Sequence, residues 1–221
     1  MAEITEADYM TWKISTFGDL FHVWHDGLDV GAVTSLSGDA RSHAVRMLIF
    51  GVQKKDGHAA TALAAMDETS AVPDLRTALS TAGNENKVSI ALAINSLTRE
   101  KDSSTLAKEL VSVLEVQDLH WGTKIDAAIG LRTFKDKESE EALLGAVEGQ
   151  DDYLVKYHSC ETLLVRWGVR PSSISSHPAI FSLIRDVREG DSIQDMGKRG
   201  VEAVRFLNRL KKGVDDAETK L

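Results

Sequence analysis

His43, Asp126 and His158 are residues whose types could do chemistry together, since two imidazoles and a carboxylate make an acid–base or metal-binding set where a fold gathers them. Each stands two places after a basic residue, Arg41, Lys124 and Lys156 respectively. Neighbouring helices in a packed array lie about 10 Å apart and His43 falls several helices before the other two, so solvated residues along a groove are the alternative. His22 and His25, with Asp26 beside them, share one helical face at i, i+3 spacing. Two imidazoles there could hold a metal, but no third ligand follows at a recognisable spacing, and packing at the chain end is the plainer account. No Gly-rich phosphate loop, nucleophile elbow, CxxC or HExxH pattern occurs. The single cysteine, Cys160, excludes an internal disulfide framework and a multi-cysteine metal site, and it takes a small-residue position where buried packing is expected. No cofactor is expected.

These residues hang on a helical frame that recurs. Lys124 is followed at +3 and +4 by Ala127 and Ala128 and at +7 by Leu131, one stripe of a 3.6-residue helix. The same frame fits Arg41 (Ala44, Val45, Leu48), Lys87 (Ile90, Ala91, Ile94) and Lys156 (Ser159, Cys160, Leu163), with a weaker copy at Arg199 (Glu202, Ala203, Phe206). The leading residues are 46, 37, 32 and 43 positions apart, a period that suits two-helix repeats with loops of variable length. If +3, +4 and +7 face the core, then +2 and +9 lie near the opposite side and +5 flanks them. The +2 row is His43, Ser89, Asp126 and His158; the +5 row is Arg46, Leu92, Ile129 and Glu161; the +9 row is Phe50, Ser96, Thr133 and Val165.

The frame of basic residue, two small residues and Leu resembles the HEAT repeat, in particular the short HEAT-like repeats of phycobilisome lyases, over residues 28–212. The resemblance implies an all-α, right-handed α-solenoid of about five helical hairpins with a capping helix at each end, in one domain spanning 1–221. Residues 5–27, rich in aromatics, are expected to cap the first repeat; residues 28–168 form the central repeats, and 177–212 the last repeat and a polar-faced cap. Arrays of this kind turn the side opposite their packed seam toward a concave surface. The resemblance therefore places His43, Arg46, Phe50, Ser89, Leu92, Asp126, Ile129, Thr133, His158 and Glu161 in a mixed polar and apolar groove suited to a protein partner.

Local signals set the expected element ends. Asp39 and Asp118 are candidate N-caps, Asp151 and Asp152 favour a helix start, and Pro73 fits a first helical turn. Residues 168–177, GVRPSSISSH, form a long loop that could move or touch a partner. Trp121 and Trp167 stand near opposite ends of framed helices, as junction packing or as ligand anchors.

The net charge of −8 opposes phosphate backbones and favours basic partners or plain solubility. Acids concentrate in residues 1–30 and 136–152, whereas Lys198–Lys212 carries six basic residues against Glu202. No basic leader or long apolar run is present, which predicts a cytoplasmic protein with no membrane segment. These features favour a non-enzymatic scaffold, adaptor or immunity-type protein that binds a basic protein. The resemblance also admits a bilin lyase-like chromophore-handling protein, with Asp126 beside Ile129 as the engaging pair, and a HEAT-like alkylpurine DNA glycosylase using Trp121, Asp126 and Arg132.

Overall fold

The structure is a computed structural model that describes residues 3–19, 21, 23, 27–99, 104–149, 152–185 and 193–218. Among them are twelve α-helices, three short 3-10 turns and no strand, as the period of the apolar residues requires. No described helix is long and apolar enough to cross a membrane. His22, Trp24, His25 and Asp26, the candidate metal pair and its neighbours, lie outside the described residues, as does Asp151. The chain divides into two compact units, Met1–Lys101 and Asp102–Leu221.

The first unit contains α1 (Glu6–Phe17), α2 (Gly31–Thr34), α3 (Gly38–Gln53), α4 (Gly57–Ala65), α5 (Val72–Leu79) and α6 (Asn84–Thr98). Alternate helices stack: α4 packs on α2 and α6, while α3 packs on α5. Leu48, Leu63, Leu75, Ile90 and Ile94 fill the core between these rows. Helix α1 opens with a capping box, in which the Asp8 amide donates to Thr5 Oγ1 and the Thr5 amide donates to Asp8 Oδ2. Its body is fastened through one carboxylate. Asp56 caps α4 by accepting from the His58 amide at 2.9 Å, accepts the Tyr9 hydroxyl at 2.6 Å and pairs with Lys13. Gly51 makes this possible, because a Cβ there would stand 2.3 Å from the Tyr9 hydroxyl.

The second unit contains α7 (Ser104–Leu114), α8 (Trp121–Gly130), α9 (Lys137–Glu148), α10 (Tyr153–Arg166), α11 (Pro178–Ile184) and α12 (Ile193–Glu218). Here α9 packs on α7 and α12, and α10 packs on α8 and α11. At the end of α9 the crossing is close: a Cβ at Gly200 would lie 2.4 Å from the Glu148 carbonyl oxygen. Glu140 then ties three helices, accepting from Trp167 Nε1 at 2.9 Å and from Lys211 Nζ at 2.7 Å. Trp167 is thus a junction residue, with Lys211 also lying over its ring.

Several expected ends move. Ser37, not Asp39, takes the N-cap position of α3, and Asp39 falls in the first turn. His120 caps α8, its ring nitrogen accepting from the Gly122 amide, while Asp118 adopts the left-handed region (φ 59°) just before it. Asp152 does cap α10, accepting from the Leu154 amide at 2.8 Å. The segment 168–177 is tied down rather than loose, because Ile174 is fully buried in a 3-10 turn and His177 reaches the Pro171 carbonyl at 2.7 Å.

Candidate functional site

In the copies led by Lys87, Lys124 and Lys156 the frame residues behave as packing demands, whereas in the weaker copy at Arg199 only Ala203 is buried, Glu202 being exposed and Phe206 half-buried. Ile90, Ala91, Ile94, Ala127, Ala128, Leu131, Ser159, Cys160 and Leu163 are all fully buried. The Arg41 copy belongs elsewhere. Its helix α3 stacks on α5, whereas α6, which carries the Lys87 copy, stacks on α4. The helix in register with α6 begins from Asp56, followed at +3, +4 and +7 by Ala59, Ala60 and Leu63, all buried. An acid holds the place of the basic residue, and Asp56 lies 31 positions before Lys87, close to the 32 separating Lys124 from Lys156.

This changes which candidates share a row. His43 and Arg46 are exposed on α3, and Phe50, half-buried there, packs its ring 5.8 Å from Tyr9. In the first unit the row partner of Ser89 is therefore His58, which no Arg41-based count selects. Ser89 sits close against Gly57 at the start of α4, and Leu92 is half-buried on α6. His58 is held below the ordinary imidazole range by burial and by Lys13, with Asp56 opposing.

The second unit does bring its candidates together, on α8 and α10. The Thr162 hydroxyl donates to the Ala128 carbonyl at 3.0 Å inside the seam, and Arg132 Nε donates to the same hydroxyl at 3.1 Å. This register leaves Asp126 and Ile129 on α8, and Thr133 in the 3-10 turn that follows it, exposed opposite half-buried His158 and Glu161 and exposed Val165 on α10. Ile129 and Val165 expose 37% and 43% of their surface, unusual for large aliphatics in an otherwise well-buried pair of helices. Thr133 turns its hydroxyl back to the Gly130 carbonyl. Glu161 faces Arg132 at 3.8 Å and accepts from the Ile174 amide.

Asp126 is the anomaly of this surface. Among the described residues it makes no hydrogen bond or ion pair. Desolvation by its surroundings pushes its carboxyl above the usual range, and the charge of His158 only partly offsets this. His158 packs edge-on against Tyr157, ring centroids 5.3 Å apart, and its Nδ1 is buried with no hydrogen-bond partner.

Other chemistry finds less support. Among the described residues no three His, Cys, Asp or Glu side chains stand close enough to hold a metal ion. Burial drives the Cys160 thiol far above its usual range, so it is no nucleophile. Arg132 is engaged by Thr162 and Glu161, while Trp121, 46% exposed, stacks its ring near His120 at the other end of α8. A separate cleft of about 590 Å³ opens beside α7 and α9, with Glu115, Asp118 and Glu141 on its wall and buried Lys124 facing it; it holds none of the candidate residues. No family model, curated protein or solved structure matches this chain.

Proposed function

We propose that the exposed face shared by α8 and α10 docks a basic protein, and that the chain is a non-enzymatic adaptor or immunity-type protein built as a HEAT-like solenoid. The observation that carries this is Asp126: an exposed carboxylate without a hydrogen bond, with solvent-facing Ile129 one turn further along α8 and solvent-facing Val165 on the neighbouring α10. A solvent-facing carboxylate with no hydrogen bond is open to pairing with a lysine or arginine of a partner. The two exposed aliphatics offer apolar contact on the same pair of helices. The net charge of −8 adds long-range attraction for a basic partner. The solenoid assignment draws on the stacking of alternate helices within each unit and on the recurrent frame.

The test is co-purification with the tagged full chain at low salt, using wild type and Asp126→Arg. A basic protein recovered in stoichiometric amount with wild type and lost with Asp126→Arg supports the proposal. Equal recovery with both, or no protein with either, refutes it.

A further inference from the structure

The C-terminal helix carries a second surface of opposite sign. Arg205, Arg209 and Lys212 stand at i, i+4 and i+7 on α12, all exposed, within a stretch of about 10 Å along the axis. None of the three makes an ion pair among the described residues. Their neighbours are already satisfied or do not reach them: Lys198 pairs with Asp195, Lys211 with Glu140, and Glu202, one turn before Arg205, closes no pair. Like charges on successive turns destabilise a helix, and ordinary surface helices interleave acids to avoid it. Arg209 also lies over the Phe206 ring, its guanidinium carbon 5.1 Å from the centroid, and a planar guanidinium suits bidentate pairing with a carboxylate.

We infer that the outer face of α12 docks an acidic segment of a partner protein, one presenting carboxylates on successive helical turns. Charge decides between the two main kinds of polyanion. The stretch 198–212 holds six basic residues and one acid, leaving 20 basic against 33 acidic residues elsewhere, a net of −13. A net charge of −13 outside the stretch opposes the high charge density of a nucleic acid more than it opposes a short acidic helix, for which three cations suffice. Few large apolar side chains are exposed on this face, so the contact is electrostatic in character and weakens with salt. This surface is independent of the α8–α10 face, and its failure would leave that proposal standing.

The experiment is fluorescence anisotropy on the full-length chain at about 150 mM salt. The probes are a labelled alanine-based helical peptide with glutamates at i, i+4 and i+7, the same peptide with lysines, and a short single-stranded oligonucleotide. The glutamate peptide should bind, lose about tenfold or more in affinity to Arg205→Glu/Arg209→Glu, and be replaced on that variant by the lysine peptide. Circular dichroism shows whether the variant keeps its helices. No binding of the glutamate peptide to wild type, binding unaffected by the double substitution in a folded variant, or oligonucleotide binding as tight as the peptide's would each overturn the inference.

Discussion

The Thr162 hydroxyl donates to the carbonyl of Ala128 at 3.0 Å, wholly inside the seam between α8 and α10, and accepts in turn from Arg132. One hydroxyl thereby fixes the register that sets Asp126 and Ile129 opposite His158 and Glu161. Thr162→Val keeps the shape but leaves the Ala128 carbonyl and Arg132 without their partner, and should destabilise the protein by about 1–3 kcal/mol in urea unfolding. Unchanged stability would mean that packing alone sets the register.

Ala128 itself has no accessible surface. Ala128→Asp puts an unpaired carboxylate in that seam, at a penalty of several kcal/mol. The expected outcome is loss of the cooperative thermal transition by circular dichroism, and a folded, stable variant would contradict the seam.

The attachment of α1 gives a pH-dependent prediction. Burial raises the Asp56 carboxyl, but hydrogen bonds from Lys13 and Tyr9 outweigh it and the net shift is downward. The unfolded chain then binds the proton more readily than the folded one, so stability from Asp56 is present above the ordinary aspartate range and is lost as pH falls through the folded value. Acid titration monitored by hydrogen exchange should release α1, and Asp56→Asn should flatten that dependence. Gly51→Ala should loosen α1 at every pH, since the new Cβ collides with the Tyr9 ring.

The packing rule written in the chain was legible; the row to which a helix belongs was not. Spacing at +3, +4 and +7 follows directly from burying one stripe of a helix, so Ala91, Ala128 and Cys160 could be placed from sequence. Any amphipathic helix satisfies the same rule, which is why the Arg41 copy fits although α3 stacks on α5. The copy led by Asp56 was hidden because its first residue is an acid recruited by Tyr9 and Lys13. Residues 168–177 read as a long loop, open to movement or to a partner, from their Gly, Pro and Ser content; one buried side chain, Ile174, anchors them. In the candidate face, periodicity alone exposes Asp126 and Ile129, but their apposition to His158 depends on the Thr162 hydrogen bond, a contact across 34 positions that no local pattern signals.

Glu140 should behave as the clasp of α12. Its carboxyl is raised by burial and lowered more strongly by Lys211 and Trp167, leaving it below the ordinary range. Glu140→Gln should cost about 1–2 kcal/mol and speed hydrogen exchange in α12 more than in α7. Uniform acceleration across the second unit would indicate a global effect instead.

Asp126 predicts the opposite sign from Asp56. Its folded value lies above its unfolded one, so the folded state takes up the proton more readily and stability falls as pH rises through that window. Because Asp126 is exposed, solvent screening keeps this effect small: Asp126→Asn should leave the thermal midpoint nearly unchanged at neutral pH while weakening partner binding, and a large loss of stability would mark Asp126 as structural.

Site-specific photocrosslinking in the native cell probes the α8–α10 surface most directly. A photoreactive residue at Ile129 or Val165 should yield the same basic protein, whereas one at exposed Ser112 on α7 should not, and adding Asp126→Asn should sharply reduce the yield. Adducts equally abundant from Ser112, or a yield from Ile129 indifferent to Asp126, would contradict the account.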